Sequence, residues 1–242
     1  PIDEALAQDW RPEKPELTDT TCHVVTVRAK GKLLGFATYF GCHPVVCCEA
    51  TRHIHGDFCG VATNQVEQDH PGAVGLFLQG AQGDVNTCVA HLPEQESLQA
   101  LDVIAGRYAR SVREGIRRAK PLTVDRVGYC RRVVTFSRKD WGLDKLREML
   151  AEHETKLHAI DATDTPAEAG APENETLRMR TVYVTALRRL TARAEAGQPL
   201  AQPTELQGVR IGPLAVLGSG FEIFQAIKND VVSRARAAPA LV

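Results

Sequence analysis

Short runs of apolar residues along this chain end in turn-forming residues, a pattern typical of β-strands. In residues 22–28 and 33–40, β-branched and aromatic residues alternate or cluster, and Lys30-Gly31-Lys32 between the two runs predicts a hairpin turn. Three further segments of this character predict strands: residues 73–78 as a buried strand, 122–137 as one long or two short strands, and 208–217 as a strand or a tight hairpin.

Between and after these strands, apolar residues recur at the spacing of amphipathic helices. The segments predicted to be helical are residues 57 to about 67, 95–118, 141–157, about 175–196, and those from Glu222 onward. Asp57 stands at the cap or in the first turn of the first helix, where a carboxylate is favourable. Strands that alternate with helices predict an α/β fold, a layered domain with a mixed, largely buried sheet flanked by helices.

We expect residues 1–242 to form a single domain. Residues 1–20 contain three prolines and many acidic residues, which predicts an extended lead-in. Residues 158–174 are rich in alanine, proline, threonine and acidic residues, which predicts a mobile loop.

Composition and charge narrow the classes of function. Apolar residues make up 43% of the chain and charged residues 24%, as in ordinary globular proteins. The net charge is −1, and there is no basic stripe with interleaved aromatic residues, so nucleic-acid binding is not expected. The apolar runs fall far short of the roughly 20 residues of a membrane span, so no transmembrane segment is predicted.

The cysteine pattern bears on the cellular compartment. Seven cysteines are an odd number, and no two of them form a Cys-x-x-Cys pair. Reduced, mostly buried thiols are the expected state, which favours a reducing compartment such as the cytoplasm and leaves a secreted or periplasmic location open.

Polar residues with possible chemistry concentrate at the ends of the predicted strands, and they are His43, His53, His55, Asp57, Asp84 and Asn86. Imidazole and carboxylate groups are the natural ligands of zinc and similar divalent ions. His53 and His55 share one face of an extended segment, which permits joint ligation. Structural roles are equally open, with His43 as a hydrogen-bonded histidine, Asp57 as a helix cap and Asp84 as a turn former.

Glu222 is a further candidate, because it follows an apolar strand and the turn Gly218-Ser219-Gly220. A glutamate at the start of a helix is stabilised by the helix dipole. The same position would also project its carboxylate above the edge of the sheet. The pattern alone leaves both interpretations open.

Three motifs occur in a fixed order: Phe40-Gly41-Cys42-His43-Pro44, then Ile54-His55-Gly56-Asp57-Phe58-Cys59-Gly60, then residues 76–86, which end in Gly83-Asp84-Val85-Asn86. They resemble the central part of the catalytic domain of the neutral/alkaline, non-lysosomal ceramidase family. The later segment from Gly212 to Glu222 is similar to the strand of that family that ends in a Pro-Gly-Glu turn. The resemblance spans about residues 20 to 230.

The resemblance implies a zinc ion, or a similar divalent metal, held by two histidines, a glutamate and a tyrosine. His43 matches one of these histidines and Glu222 matches the glutamate. The motifs of the other histidine and of the tyrosine lie upstream and downstream in the family and are absent from these residues. Flanking segments or a second chain would therefore supply the remaining metal ligands.

The resemblance also implies what the other motif residues do. Ceramidases carry a serine where this chain has Asn86, followed by Thr87, and an asparagine cannot act as that nucleophile. The expected activity is therefore hydrolysis of an amide or related acyl bond by metal-activated water, on a small-molecule or lipid-like substrate other than ceramide itself. His55, Asp57, Asp84 and Asn86 would orient ligands or move protons.

Three alternatives remain. The first is a catalytically inactive, ceramidase-like binding or scaffold module. The second is a metal site that uses His53 and His55 within this chain. The third is an ordinary α/β domain with structural histidines.

Overall fold

The computed structural model describes residues 2–7, 9, 11–47, 54–90, 92–159 and 177–242. It confirms the α/β class, with helices and two mixed sheets of three and four strands. Contacts divide the chain into two compact units, one of Pro1–Arg132 with Leu206–Val242 and the other of Val133–Glu205. No helix within the described part of the chain is long and apolar enough to cross a bilayer.

The first sheet has the strand order β1 (His23–Ala29), β2 (Lys32–Phe40), β3 (Val74–Gln79). β1 and β2 form the predicted antiparallel hairpin. Its two-residue turn consists of Lys30 and Gly31, with φ of 50° and 79°. Positive φ at both positions matches the twist of the strands on either side, which is why a glycine belongs there.

β2 and β3 run parallel, with Phe40 opposite Gln79, so both strands end at the same edge of the sheet. Helix α2 (Asp57–Asp69) lies between them in the chain and packs with helix α3 (Glu94–Arg118). Asp57 occupies the first turn of α2, as predicted. The helices and the sheet bury one apolar core, in which the rings of Phe58 and Tyr108 meet edge to face at 5.3 Å.

The second sheet consists of β4 (Val127–Val134), β5 (Thr204–Ile211), β6 (Leu214–Ser219) and β7 (Ala240–Leu241). The mixed pairing expected from the sequence is therefore present, and it is divided between two sheets. The reason is that β1–β2 and β5–β6 are separate antiparallel hairpins, and each gains its own parallel strand, β3 or β7.

The structure decides between the alternatives that the sequence left open for two predicted strand segments. Residues 208–217 belong to the tight β5–β6 hairpin, which turns at Gly212 with φ of 57°. Within residues 122–137 there is one strand, β4, and it is exposed along most of its length.

Helices α4 (Leu143–His158) and α5 (Leu177–Glu195) make up most of the second unit and pack against each other. Leu146, Val184 and Leu187 are buried. The predicted mobile loop at 158–174 lies, from residue 160 onward, outside the described residues.

Two expectations about helices are wrong. Residues 1–20 are not extended throughout, because α1 (Ile2–Ala5) forms there. Ile2, Ala5 and Leu6 have helical spacing and pack against the core, which stabilises this turn. The last helix, α6 (Gln225–Arg234), begins three residues after Glu222, so Glu222 lies in the loop that precedes it.

Candidate functional site

The two residues expected to bind metal come together in the structure. His43 lies three residues beyond the end of β2, and Glu222 lies three residues beyond the end of β6. His43 Nε2 is 3.8 Å from Glu222 Oε1, and the side chains are 32% and 64% exposed. Two ligand atoms of one tetrahedral zinc ion lie about 3.4 Å apart. A small side-chain movement would therefore allow both to contact one divalent ion.

Asn86 lies beside His43 because the parallel pairing of β2 and β3 resumes beyond the strand ends. The backbone N–H of His43 donates a hydrogen bond to the carbonyl of Val85 at 2.8 Å, and His43 and Asn86 form an isolated parallel bridge. Gln79 Nε2 donates to the carbonyl of Cys42 at 3.1 Å. Asn86 is exposed, so its amide is accessible to a ligand at this edge.

Asp84 positions the loop that carries Glu222. Its Oδ1 accepts a hydrogen bond from the backbone N–H of Gln225 at 2.9 Å, and this amide is the first of helix α6. The N–H of Gly83 donates to the carbonyl of Ile223 at 3.0 Å. A Cβ atom on Gly83 would lie 2.5 Å from the carbonyl oxygen of Glu222, so this close approach requires glycine. The contact of Asp84 with Gln225 explains why the helix begins after Glu222.

Gln225 is a positioning residue that its sequence context does not reveal. Its side chain is buried at 1% exposure, and Nε2 donates to the carbonyl of Ala81 at 2.6 Å and to that of Gly41 at 3.4 Å. Its Oε1 accepts from the N–H of Asp19 at 3.3 Å. These partners are backbone atoms far away in sequence, so no local motif marks this glutamine. It connects the segments that lead to His43, Asp84 and α6.

A partly buried ion pair supports the same region. Lys228 Nζ lies 2.6 Å from Asp19 Oδ2, and the two side chains are 6% and 31% exposed. Burial acts to raise the pKa of Asp19, but hydrogen bonds from Lys228 and Thr21 outweigh it and hold the pKa below its usual value. The pair fixes the lead-in segment against α6.

His55 and Asp57 belong to a second group of polar side chains. Asp57 Oδ1 accepts from the N–H of Phe58 at 2.7 Å and Oδ2 from the N–H of Cys47 at 3.0 Å. The N–H of Asp57 donates to His55 Nδ1 at 3.0 Å. One donor atom from each of Cys47, His55 and Asp57 lies within 4.8 Å of the other two. His53 lies outside the described residues.

The thiol next to His43 is not an active nucleophile. Burial above all, together with the neighbouring Cys88, Asp57 and Cys59, raises the pKa of Cys42 to about 12. Only the thiolate attacks carbonyl carbon, so a protonated Cys42 does not supply a Cys–His nucleophile at neutral pH.

A cavity of about 290 Å³ adjoins Asn86. Asn86 and Thr87 line it together with the aromatic rings of Phe58 and Tyr108, whereas His43 and Glu222 do not. Thr87 Oγ1 donates to the carbonyl of Val89 at 2.5 Å, so this hydroxyl is engaged within its own loop. The cavity therefore offers a largely apolar space on one side of the Asn86 amide.

Comparison with solved structures supports a ceramidase-like fold. The chain is similar to neutral ceramidase from Pseudomonas aeruginosa, with a TM-score of 0.54, 19% identity, and coverage of 90% of this chain and 36% of that one. It is similar to a ceramidase complexed with C2 at a TM-score of 0.54 and 18% identity, with coverage of 90% and 38%. The chain thus spans well under half of these structures. No protein-family profile and no curated protein sequence matches it.

Proposed function

We propose that this chain is part of a metal-dependent hydrolase that cleaves an amide or related acyl bond. The observation that carries the proposal is the 3.8 Å separation of His43 Nε2 and Glu222 Oε1 at one edge of the fold. The ceramidase-like fold supports it. A zinc-type ion takes three protein ligands in most catalytic sites, so flanking segments or a second chain would complete the set.

Each residue of the proposed site would have a separate role in hydrolysis. His43 and Glu222 would hold a divalent ion, and that ion would supply Lewis-acid chemistry for the attack of water on an acyl carbonyl. Asn86 donates a hydrogen bond from its exposed amide to the substrate oxygen on which negative charge develops. Asp84 acts through Gln225, since its carboxylate holds the start of α6 and so places Glu222.

The cavity beside Asn86 supports a proposal about the substrate class. At about 290 Å³, it is at the lower end of the roughly 300–1,000 Å³ typical of small-molecule pockets. Its aromatic wall is suited to a short apolar group. We propose that it receives part of an acyl chain, and that a longer lipid-like chain would extend out of it.

A second candidate function is a binding module without catalysis. Asn86 at the position where ceramidases carry a serine favours this alternative, because it removes the hydroxyl on which acyl transfer would depend. The two functions share the fold and the His43–Glu222 pair. They differ in whether a bound acyl compound is turned over.

The test is to measure metal content and hydrolysis in the full-length protein. His43→Ala and Glu222→Gln should each lose one equivalent of metal and the hydrolysis of a panel of N-acyl amides. His158→Ala and Glu16→Gln are matched controls at exposed positions. Unchanged metal content in both site variants would overturn the metal site. Metal loss in the variants, together with no hydrolysis by the parent protein, would support the binding module instead.

A further inference from the structure

We propose that Cys47, His55 and Asp57 form a second divalent-cation site, whose donor set differs from that of His43 and Glu222. One donor atom of each residue lies within 4.8 Å of the other two. A thiol, an imidazole and a carboxylate are the three side-chain types that bind zinc in proteins. The inference depends on these three residues alone and stands whether or not the chain is a hydrolase.

The backbone at Asp57 is the first support for this site. Its φ is +51°, in the left-handed region that side-chain-bearing residues rarely adopt, and the residue is only 5% exposed. Buried residues in strained conformations concentrate at functional sites, because the surrounding structure must hold them there. A helix start alone does not require this strain.

The orientation of the Asp57 carboxylate is the second support. Each of its oxygens accepts one backbone hydrogen bond, from Phe58 at 2.7 Å and from Cys47 at 3.0 Å. The second bond brings the loop that carries the Cys47 thiol against the start of α2. A carboxylate oxygen has two acceptor positions, so, with respect to the residues that the structure describes, each retains one for a cation.

The hydrogen bond that His55 Nδ1 accepts is the third support. The backbone N–H of Asp57 can only donate, so His55 Nδ1, which accepts it at 3.0 Å, carries no proton. A ligating nitrogen must be unprotonated, and Nδ1 meets that condition. Binding a cation there would replace the hydrogen bond that the backbone N–H of Asp57 donates. His55 is exposed, so an ion reaches the group without opening the core.

The donor set defines the class of ion. One thiolate with one imidazole selects a borderline or soft ion such as Zn²⁺ over Mg²⁺ or Ca²⁺, which prefer oxygen ligands. Ligand atoms of a tetrahedral zinc site lie about 3.4–3.7 Å apart. The donor atoms already lie within 4.8 Å of one another, so zinc binding should bring them to separations of about 3.4–3.7 Å and leave a fourth position for water.

Cobalt substitution tests this site independently of the proposed hydrolase. Co²⁺ added to the full chain should give the near-ultraviolet charge-transfer band that arises from a thiolate ligand. Cys47→Ser should abolish the band, and His55→Ala should weaken Co²⁺ and Zn²⁺ binding at least tenfold. Cys59→Ser is the matched control, since Cys59 lies on the first turn of α2 outside the group, and it should retain the band.

His43→Ala and Glu222→Gln should also retain the thiolate band, which separates the two sites. Circular dichroism of each variant checks that α2 remains folded. No thiolate band in the parent chain at stoichiometric Co²⁺ would overturn the proposal. A band that survives Cys47→Ser, or one that disappears in Cys59→Ser, would also overturn it.

Discussion

Asp84 Oδ1 accepts the backbone hydrogen bond of Gln225 at 2.9 Å, and this contact joins the loop after β3 to the start of α6. The loop after β3 also carries Asn86 and is bridged to His43. The start of α6 directly follows the segment that contains Glu222. The Asp84–Gln225 contact therefore sets how far Glu222 lies from His43.

Replacing Gly83 should disturb this arrangement directly. A Cβ atom in Gly83→Ala would meet the carbonyl oxygen of Glu222 at 2.5 Å and the Phe224 ring at 2.6 Å, so the loop must move. We expect the free energy of unfolding to fall by about 1–3 kcal/mol and zinc affinity to fall with it. Gly218→Ala, in β6 with open space around its Cβ, is the control for urea denaturation and zinc titration. Equal stability and equal zinc affinity of the two variants would contradict the role of the close contact between Gly83 and Glu222.

Two substitutions distinguish the role of the Asp84 charge from that of its acceptor oxygen. Asp84→Ala removes the cap of α6 and should cost about 1 kcal/mol of stability, with weaker metal binding. Asp84→Asn keeps an acceptor oxygen, so it should retain the stability and the metal affinity of the parent chain. Thermal unfolding and zinc titration measure the two. If Asp84→Asn were fully stable but lost kcat, proton transfer rather than positioning would be the role of Asp84.

Gln225→Ala should be among the more destabilising single changes at the site. It leaves the buried carbonyls of Ala81 and Gly41 without their amide donor, which should cost about 2–3 kcal/mol. Gln68→Ala, at an exposed position of α2, should change the free energy of unfolding by less than about 0.5 kcal/mol. Chemical denaturation measures both, and a Gln225 variant as stable as the Gln68 variant would refute the positioning role.

Asn86→Ala should affect turnover and spare the fold. The side chain is exposed, and its contact with His43 is through the backbone, so metal content and stability should stay unchanged. The proposed hydrogen bond to the substrate oxygen would be lost, lowering kcat on an N-acyl substrate roughly 100-fold. Asn64→Ala, exposed on α2, is the control. If Asn86→Ala lost bound metal and kept its kcat, the proposed contact with the substrate oxygen would be contradicted.

The Asp19–Lys228 pair should make the free energy of unfolding depend on pH in the acidic range. The pKa of Asp19 in the folded chain lies below its usual value, so the unfolded chain binds more protons as the pH falls. The stabilisation is complete above the unfolded pKa of about 3.9 and is lost as the pH falls through the folded pKa. Asp19→Asn should therefore cost about 1–2 kcal/mol at neutral pH and progressively less below about pH 4.

Urea denaturation at several pH values measures this dependence. Asp125→Asn, at an exposed position, should leave the curve of stability against pH unchanged. A constant difference between the parent chain and Asp19→Asn down to low pH would contradict the contribution of the ion pair.

Local patterns predicted the secondary structure where one short segment contains the whole signal. The β1–β2 hairpin follows from Lys30-Gly31 between two β-branched runs, because the turn itself demands positive φ. The start of α2 at Asp57 follows from a carboxylate in the first turn before an apolar repeat. The start of α6 was predicted wrongly, because the carboxylate that caps it is Asp84, from a distant segment.

The sequence by itself determined the alternation of strands and helices, and it marked His43, Glu222 and Asn86 by motifs that resemble ceramidases. Only the tertiary structure decided that His43 and Glu222 lie 3.8 Å apart, that two sheets form instead of one, and that Gln225 connects the site. The physical reason is that propensity and periodicity act between near neighbours in the chain. The separation of two side chains from distant segments depends instead on strand pairing and on buried hydrogen bonds to backbone atoms, which no local pattern records.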